Sequence, residues 1–100
     1  MNHTKLVGQL KRALLPYVIL RRLREGPTHG YSILLRLERI GLPSVKSGTL
    51  YPLLRSMEEA GEVTAHWETP EQGPARKKFE ITEQGLKSLQ DLETWIDEIV

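Results

Sequence analysis

The side chains here best suited to chemistry are cations and aromatic hydroxyls, spaced as if to grip a polyanion. Gly48, Pro52 and Arg55 recur at four and three residues, which puts them on one face of a helix. A face made of a glycine, a proline and one arginine is thin, and something bulky can approach it. The Arg55 guanidinium offers a two-pronged fork to guanine O6 and N7, or, less specifically, to phosphate. Thr49 and Tyr51 flank that face, where hydroxyls can meet phosphate or a thymine methyl. Tyr51 has a second reading, as a half-buried cap on the apolar stripe. Lys46, just ahead, suits a backbone phosphate better than a base. A second basic element, Arg76-Lys77-Lys78, lies beside a polar turn.

Catalysis and metal binding find no comparable pattern. His3, His29 and His66 fall on different elements without ligand spacing, and there is no cysteine. Ser44, Ser47 and Ser56 have no arrangement suggesting a Ser-His-acid triad. Gly73-Pro74 precedes a strand, whereas a phosphate loop must open a helix. The expectation is a protein that is not an enzyme, with no catalytic residue, cofactor or metal.

One hundred residues, 39% hydrophobic and 27% charged, suit one soluble globular domain. The longest apolar run, Ala13–Leu20, contains Pro16 and is far short of the ~20 residues needed to span a bilayer. No apolar leader follows Met1, so the expected location is the cytoplasm, with no membrane partner. The net charge of +1 conceals segregation: residues 1–57 carry ten Lys/Arg against Glu25 and Glu38, and residues 79–100 carry six acids against Lys87. A basic body with an acidic tail suggests that one part meets a polyanion.

The elements that position these residues are punctuated by Gly26-Pro27, Gly41, Gly61, Gly73-Pro74 and Gly85. Leu6, Leu10, Leu14 and Val18 recur at helical spacing, and Pro16 predicts a kink or a fresh helix start near Leu15. His29–Ile40 reads as a second helix, with Thr28 as N-cap, Gly41 as stop, and Ile33, Leu34, Leu37 and Ile40 inward. Ser44–Ala60 holds the third, burying Leu50, Leu53, Leu54 and Met57. Alternation over Glu62–Glu68 and Lys77–Ile81 predicts an antiparallel hairpin, with Val63, Trp67, Phe79 and Ile81 packed on the helices and Trp67, at the wing's edge, only partly buried. In that register Lys77 shares the core side with Phe79. Thr82 caps a last helix whose Leu86, Leu89, Leu92, Ile96 and Ile99 form a near-heptad seam.

Three helices, a hairpin and a terminal helix are the order of a winged helix-turn-helix protein: mainly α with a small β-hairpin wing. Gly26-Pro27-Thr28-His29-Gly30-Tyr31, Ser47-Gly48-Thr49-Leu50-Tyr51-Pro52-Leu53-Leu54, Glu59-Ala60-Gly61 and Gly73-Pro74-Ala75-Arg76-Lys77-Lys78-Phe79-Glu80-Ile81-Thr82 together resemble the PadR family of transcriptional regulators. The resemblance runs from roughly Leu10 to Gly85 and is closest to the small subclass with a single C-terminal helix. It implies a homodimeric repressor of double-stranded DNA with a pseudo-palindromic operator, divided into a DNA-binding unit (1–82) and a dimerisation helix (83–100). Tyr31, Lys46, Ser47, Thr49, Tyr51, Arg55, Arg76 and Lys77 are the DNA-binding candidates, and His29 is a capping or packing residue. The seam Leu86, Leu89, Leu92, Ile96 and Ile99 is the dimerisation candidate. Trp95, beside it, either packs the interface or lines a shared cavity for a small aromatic effector. The alternative to all this is a winged-helix module that binds another protein without DNA.

Overall fold

Pro16 decides where the first apolar stretch breaks. The computed structural model describes residues 3–42 and 47–100, and side chains for 5–42 and 48–100. Helix α1 (His3–Ala13) gives way at Leu14 to α2 (Leu15–Arg24), with Pro16 in the first turn of the second helix. The missing proline N–H there is one that a first turn leaves unpaired anyway. The break divides the leucines sharply. Leu15, Ile19, Leu20 and Leu23 of α2 are buried, while Leu6 and Leu10 of α1 are exposed.

Thr28 is not a helix cap. Thr28 and His29 form a short strand, β1 (Thr28–His29), and α3 (Gly30–Arg39) begins after it. His29 holds the N-cap place in extended backbone without a side-chain capping bond. The β-branched Thr28 is buried opposite Phe79, so sheet pairing takes the residue that a local signal assigns to the helix. At the other end Gly41, with φ of 90°, turns the chain back. The Gly41 and Leu42 N–H groups donate to the Glu38 and Leu37 carbonyls at 3.2 and 2.9 Å. This closure drops Leu42 into the core and leaves Ile40 outside, 47% exposed, against the expectation that it faces inward.

The expected hairpin is the larger part of a three-stranded antiparallel sheet. Strands β2 (Val63–Glu68) and β3 (Arg76–Ile81) pair from Val63–Ile81 to Glu68–Arg76, and β1 joins the far side of β3 in the order β1-β3-β2. Phe79, on the central strand, is buried to 1% between Thr28 and Ala65. The alternation holds at Val63 and Ala65, but the strand then outruns the core. Trp67 is 67% exposed and does not pack on the helices as the alternation implied.

Helix α4 (Ser47–Glu59) buries Leu50, Leu54 and Met57 and half-buries Leu53. Helix α5 (Glu83–Ile99) starts as expected, with Thr82 Oγ1 accepting from the Gly85 N–H at 2.9 Å and donating to the Gly61 carbonyl at 2.6 Å. A β-carbon at Gly85 would strike the Glu62 carbonyl and the Ile81 side chain, so glycine permits this close contact of helix and sheet. Leu89 is fully buried in the chain's own core, and Arg24 reaches both Glu93 oxygens at 2.8 and 3.0 Å. The seam is thus split: Leu89 anchors α5 to the rest of the chain, whereas Ile99 remains exposed.

Candidate nucleic-acid interface

The outward face of α4 carries the residues that the helical spacing assigned to it: Gly48, Thr49, Tyr51, Pro52 and Arg55 are all exposed. Pro52 lies within the helix and cannot donate to the Gly48 carbonyl. Lys46 lies outside the described residues, as does the side chain of Ser47, which opens α4.

Tyr51 combines its two readings. Its ring lies 6.4 Å from that of Phe79 at 43°, yet 42% of the residue remains exposed. The ring passes directly over Gly30, where a β-carbon would strike it. Gly30 therefore lets α4 come close to the start of α3, and Tyr31, the next residue, stands 67% exposed beside it.

From the sheet side, Arg76 is exposed and Lys77 half-buried. Lys77 keeps the core-side register: its Nζ lies 5.7 Å from the centre of the Phe79 ring and 3.6 Å from Glu58 Oε1. That ion pair ties the wing to the C-terminal half of α4. Together Tyr31, Tyr51, Trp67, Arg76 and Lys77 line an open cleft of about 310 Å³ between the start of α3, α4 and the wing. A second hollow, about 350 Å³, is bounded by Arg55, Glu58, Glu59 and Lys77. Thus four of the eight DNA-binding candidates meet in one cleft, with Arg55 in the hollow that Lys77 shares. Arg55 and Arg76 make no ion pair among the described residues.

The sheet face that carries Glu68, to which Arg76 belongs by register and whose His29 also lines the cleft, is internally paired. Glu68 accepts from His29 Nε2 at 2.7 Å and from Lys78 Nζ at 3.3 Å. The His29 ring, and after it the Lys78 ammonium, hold the Glu68 carboxyl below its ordinary range. His29 is thus a strut between β1 and β2. Elsewhere the basic body is partly spent on its own acids. Arg36 grips Glu25 through two bonds of 2.9 and 3.0 Å, which lowers the carboxyl pKa and raises that of the guanidinium. The Arg24–Glu93 pair shows the same two shifts.

Trp95 is 55% exposed on α5, remote in the chain from the cleft. Leu86, Leu92 and Ile96 are half-buried. Among the described residues no group of His, Cys, Asp or Glu is placed to hold a metal ion, and no helix is long and apolar enough to cross a membrane. The place of Trp67 in the alternation put it on the core side, partly buried at the wing's edge; what the sequence did not reveal is that it lines this cleft.

Residues 19–91 match the model of the transcriptional regulator PadR-like family. No curated protein matches the chain. Among solved structures, a PadR family transcriptional regulator from Eggerthella lenta DSM 2243 superposes with a TM-score of 0.87 at 31% identity, over 96% of this chain and 83% of that one. A PadR-like transcriptional regulator from Bacillus cereus strain ATCC 14579 gives 0.81 at 26% identity, over 91% and 88%. The circadian clock associated protein Pex from Anabaena shares the fold, with a TM-score of 0.67 at 22% identity over 86% and 77%.

Proposed function

The chain belongs to the PadR-like family of transcriptional regulators, and from that premise we propose that it is a homodimeric, sequence-specific DNA-binding repressor of the cytoplasm. The observation that carries this reading is that Tyr51 and Arg55 of α4 border hollows shared with the wing's Lys77, with Arg76 lining one of them. A recognition helix fits the ~12 Å major groove when its outward face is slim and bears a few long polar groups. Arg55 reads a base edge. Tyr31, Tyr51 and Arg76 hold phosphates on either side and set the register without reading sequence. Lys77 belongs to the same wing, and Thr49, Ser47 and Lys46 complete the contacts at the start of α4.

Dimerisation through residues 83–100 is supported by apolar surface that the protomer leaves uncovered. Ile99 on α5 is exposed, and α1 displays Leu6, Val7 and Leu10 as well. Leu92 and Ile96 lead to the exposed end of the seam, Leu86 lies half-buried at its start and Leu89 supports it from within. Residues 1–82 then form the DNA-reading unit, and two copies read half-sites about one helical turn, ~34 Å, apart or a multiple of it. Two copies of Trp95 near the twofold axis offer flat indole faces to a planar aromatic effector whose binding releases the DNA.

The test is to pass fragmented genomic DNA over the purified protein and sequence what is retained. The reading predicts a small set of fragments sharing an inverted repeat. Retention of no fragment above background contradicts it and favours a winged-helix module that binds protein.

A further inference from the structure

Near the tip of the wing, β2 carries a tryptophan that its own domain leaves largely exposed. Trp67 follows Val63 and Ala65 on the core side of β2, but at 67% exposure it covers little of the protein. Its ladder partner is Lys77, which Glu58 and the Phe79 ring hold in place. The indole lines the cleft together with His29, Tyr31, Tyr51 and Arg76. An exposed aromatic wall with two phenols and two cations asks for an anionic partner that also has an apolar side.

We propose that Trp67 packs against the sugar–phosphate backbone of one strand of duplex DNA, seated in the cleft. The inference rests on the DNA-binding reading above and adds to it a contact that is not electrostatic. Bases in a duplex are stacked on one another, so an indole face meets deoxyribose carbons unless it pays to unstack them. The hydroxyls of Tyr31 and Tyr51 and the Arg76 guanidinium then flank the sugar and donate to adjacent phosphates. Charge complementarity names this occupant. The cleft holds the cations Arg76 and Lys77, the Glu58 carboxylate is engaged by Lys77, and Glu68, the ladder partner of Arg76, is engaged by Lys78 and by His29, which also lines the cleft.

The contact has a signature that separates it from every cation nearby. An indole releases no counterion, whereas each phosphate neutralised by a cation adds about one unit to the slope of log affinity against log salt. Burying on the order of 50 Å² more of the indole corresponds to about tenfold in affinity. Trp67→Ala should weaken binding to all duplexes by about tenfold at fixed salt and leave the slope unchanged, and Trp67→Phe should recover most of the loss. Arg76→Ala should instead flatten the slope by about one unit. In a Trp95→Phe background, judged against that variant's own binding curve, saturating duplex should quench the remaining emission of Trp67.

If the parent binds duplex but Trp67→Ala binds equally well and the emission does not move, this inference falls and the DNA reading stands. If the parent binds no duplex, both fall. If duplex leaves the emission unmoved while a planar aromatic carboxylate quenches it saturably, the cleft takes a small molecule and the inference is overturned.

Discussion

Phe79→Ala removes the ring on which both halves of the proposed interface rest. The side chain is buried to 1% on the central strand, with Tyr51 packed on one side and Lys77 drawn over it on another. Losing the transfer energy of a fully buried aromatic removes about 2–3 kcal/mol. The hole left between α4 and the sheet collapses only in part, which raises the total to about 3–5 kcal/mol. In a domain of this size that lowers the melting temperature by about 15–25 °C. Urea unfolding followed by circular dichroism, at one fixed protein concentration, measures the loss of stability. Leu89→Ala is the control: also fully buried, but against α2, it should cost about 2–5 kcal/mol. At temperatures where both variants remain folded, Phe79→Ala should lose DNA affinity and Leu89→Ala should keep more of it, because only Phe79 supports Tyr51 and Lys77. A Phe79→Ala cost under about 0.5 kcal/mol, or equal affinity losses in the two variants, refutes the claim that this ring couples α4 to the wing.

Arg55→Ala should lower operator affinity by about 1–3 kcal/mol and relax preference at one base pair per half-site, read by competition among single-base operator variants. A uniform loss with preference intact makes Arg55 a phosphate clamp. Gly30→Ala should force the Tyr51 ring off α3 and destabilise the fold by about 1–3 kcal/mol, checked by the same urea titration. Glu25, Glu68 and Glu93 all have carboxyl pKa values lowered from 4.5 by their partners. Their contribution is therefore present above that value and is lost as pH falls below it. Melting temperature should drop on acidification from about pH 5 downward, and Glu68→Gln should blunt part of that drop. Truncation after Gly85 should yield a monomeric or insoluble chain, judged by sedimentation; a well-folded truncated dimer refutes dimerisation through α5.

Some of this architecture could be read from local signals because the physics is local. Pro16 restarts a helix, Gly41 stops one, and Thr82 caps one using only neighbours within a turn or so. The face of α4 was equally legible, because helical geometry fixes which residues share a side. What could not be read depends on partners far along the chain. Thr28 looks like a cap until Phe79, fifty-one residues later, arrives as its sheet partner. Trp67 obeys the two-residue alternation, but alternation does not tell where the core ends. Leu89 and Ile99 share one periodic seam, yet only the packing of α2 decides which of them is used up inside the protomer. Lys77 reads as one of three similar cations, although Glu58 and Phe79 give it a positioning task that Arg76 lacks.

The most direct test of DNA binding is a salt titration with a duplex from the protein's own upstream region. Affinity, followed by fluorescence anisotropy of the labelled duplex, should fall linearly in log–log form with increasing salt, because cations such as Arg76 neutralise phosphates and displace counterions. Arg76→Ala should reduce that slope. A flat line, or no binding at ~50 mM salt to this or any fragment recovered from the genome, contradicts the account.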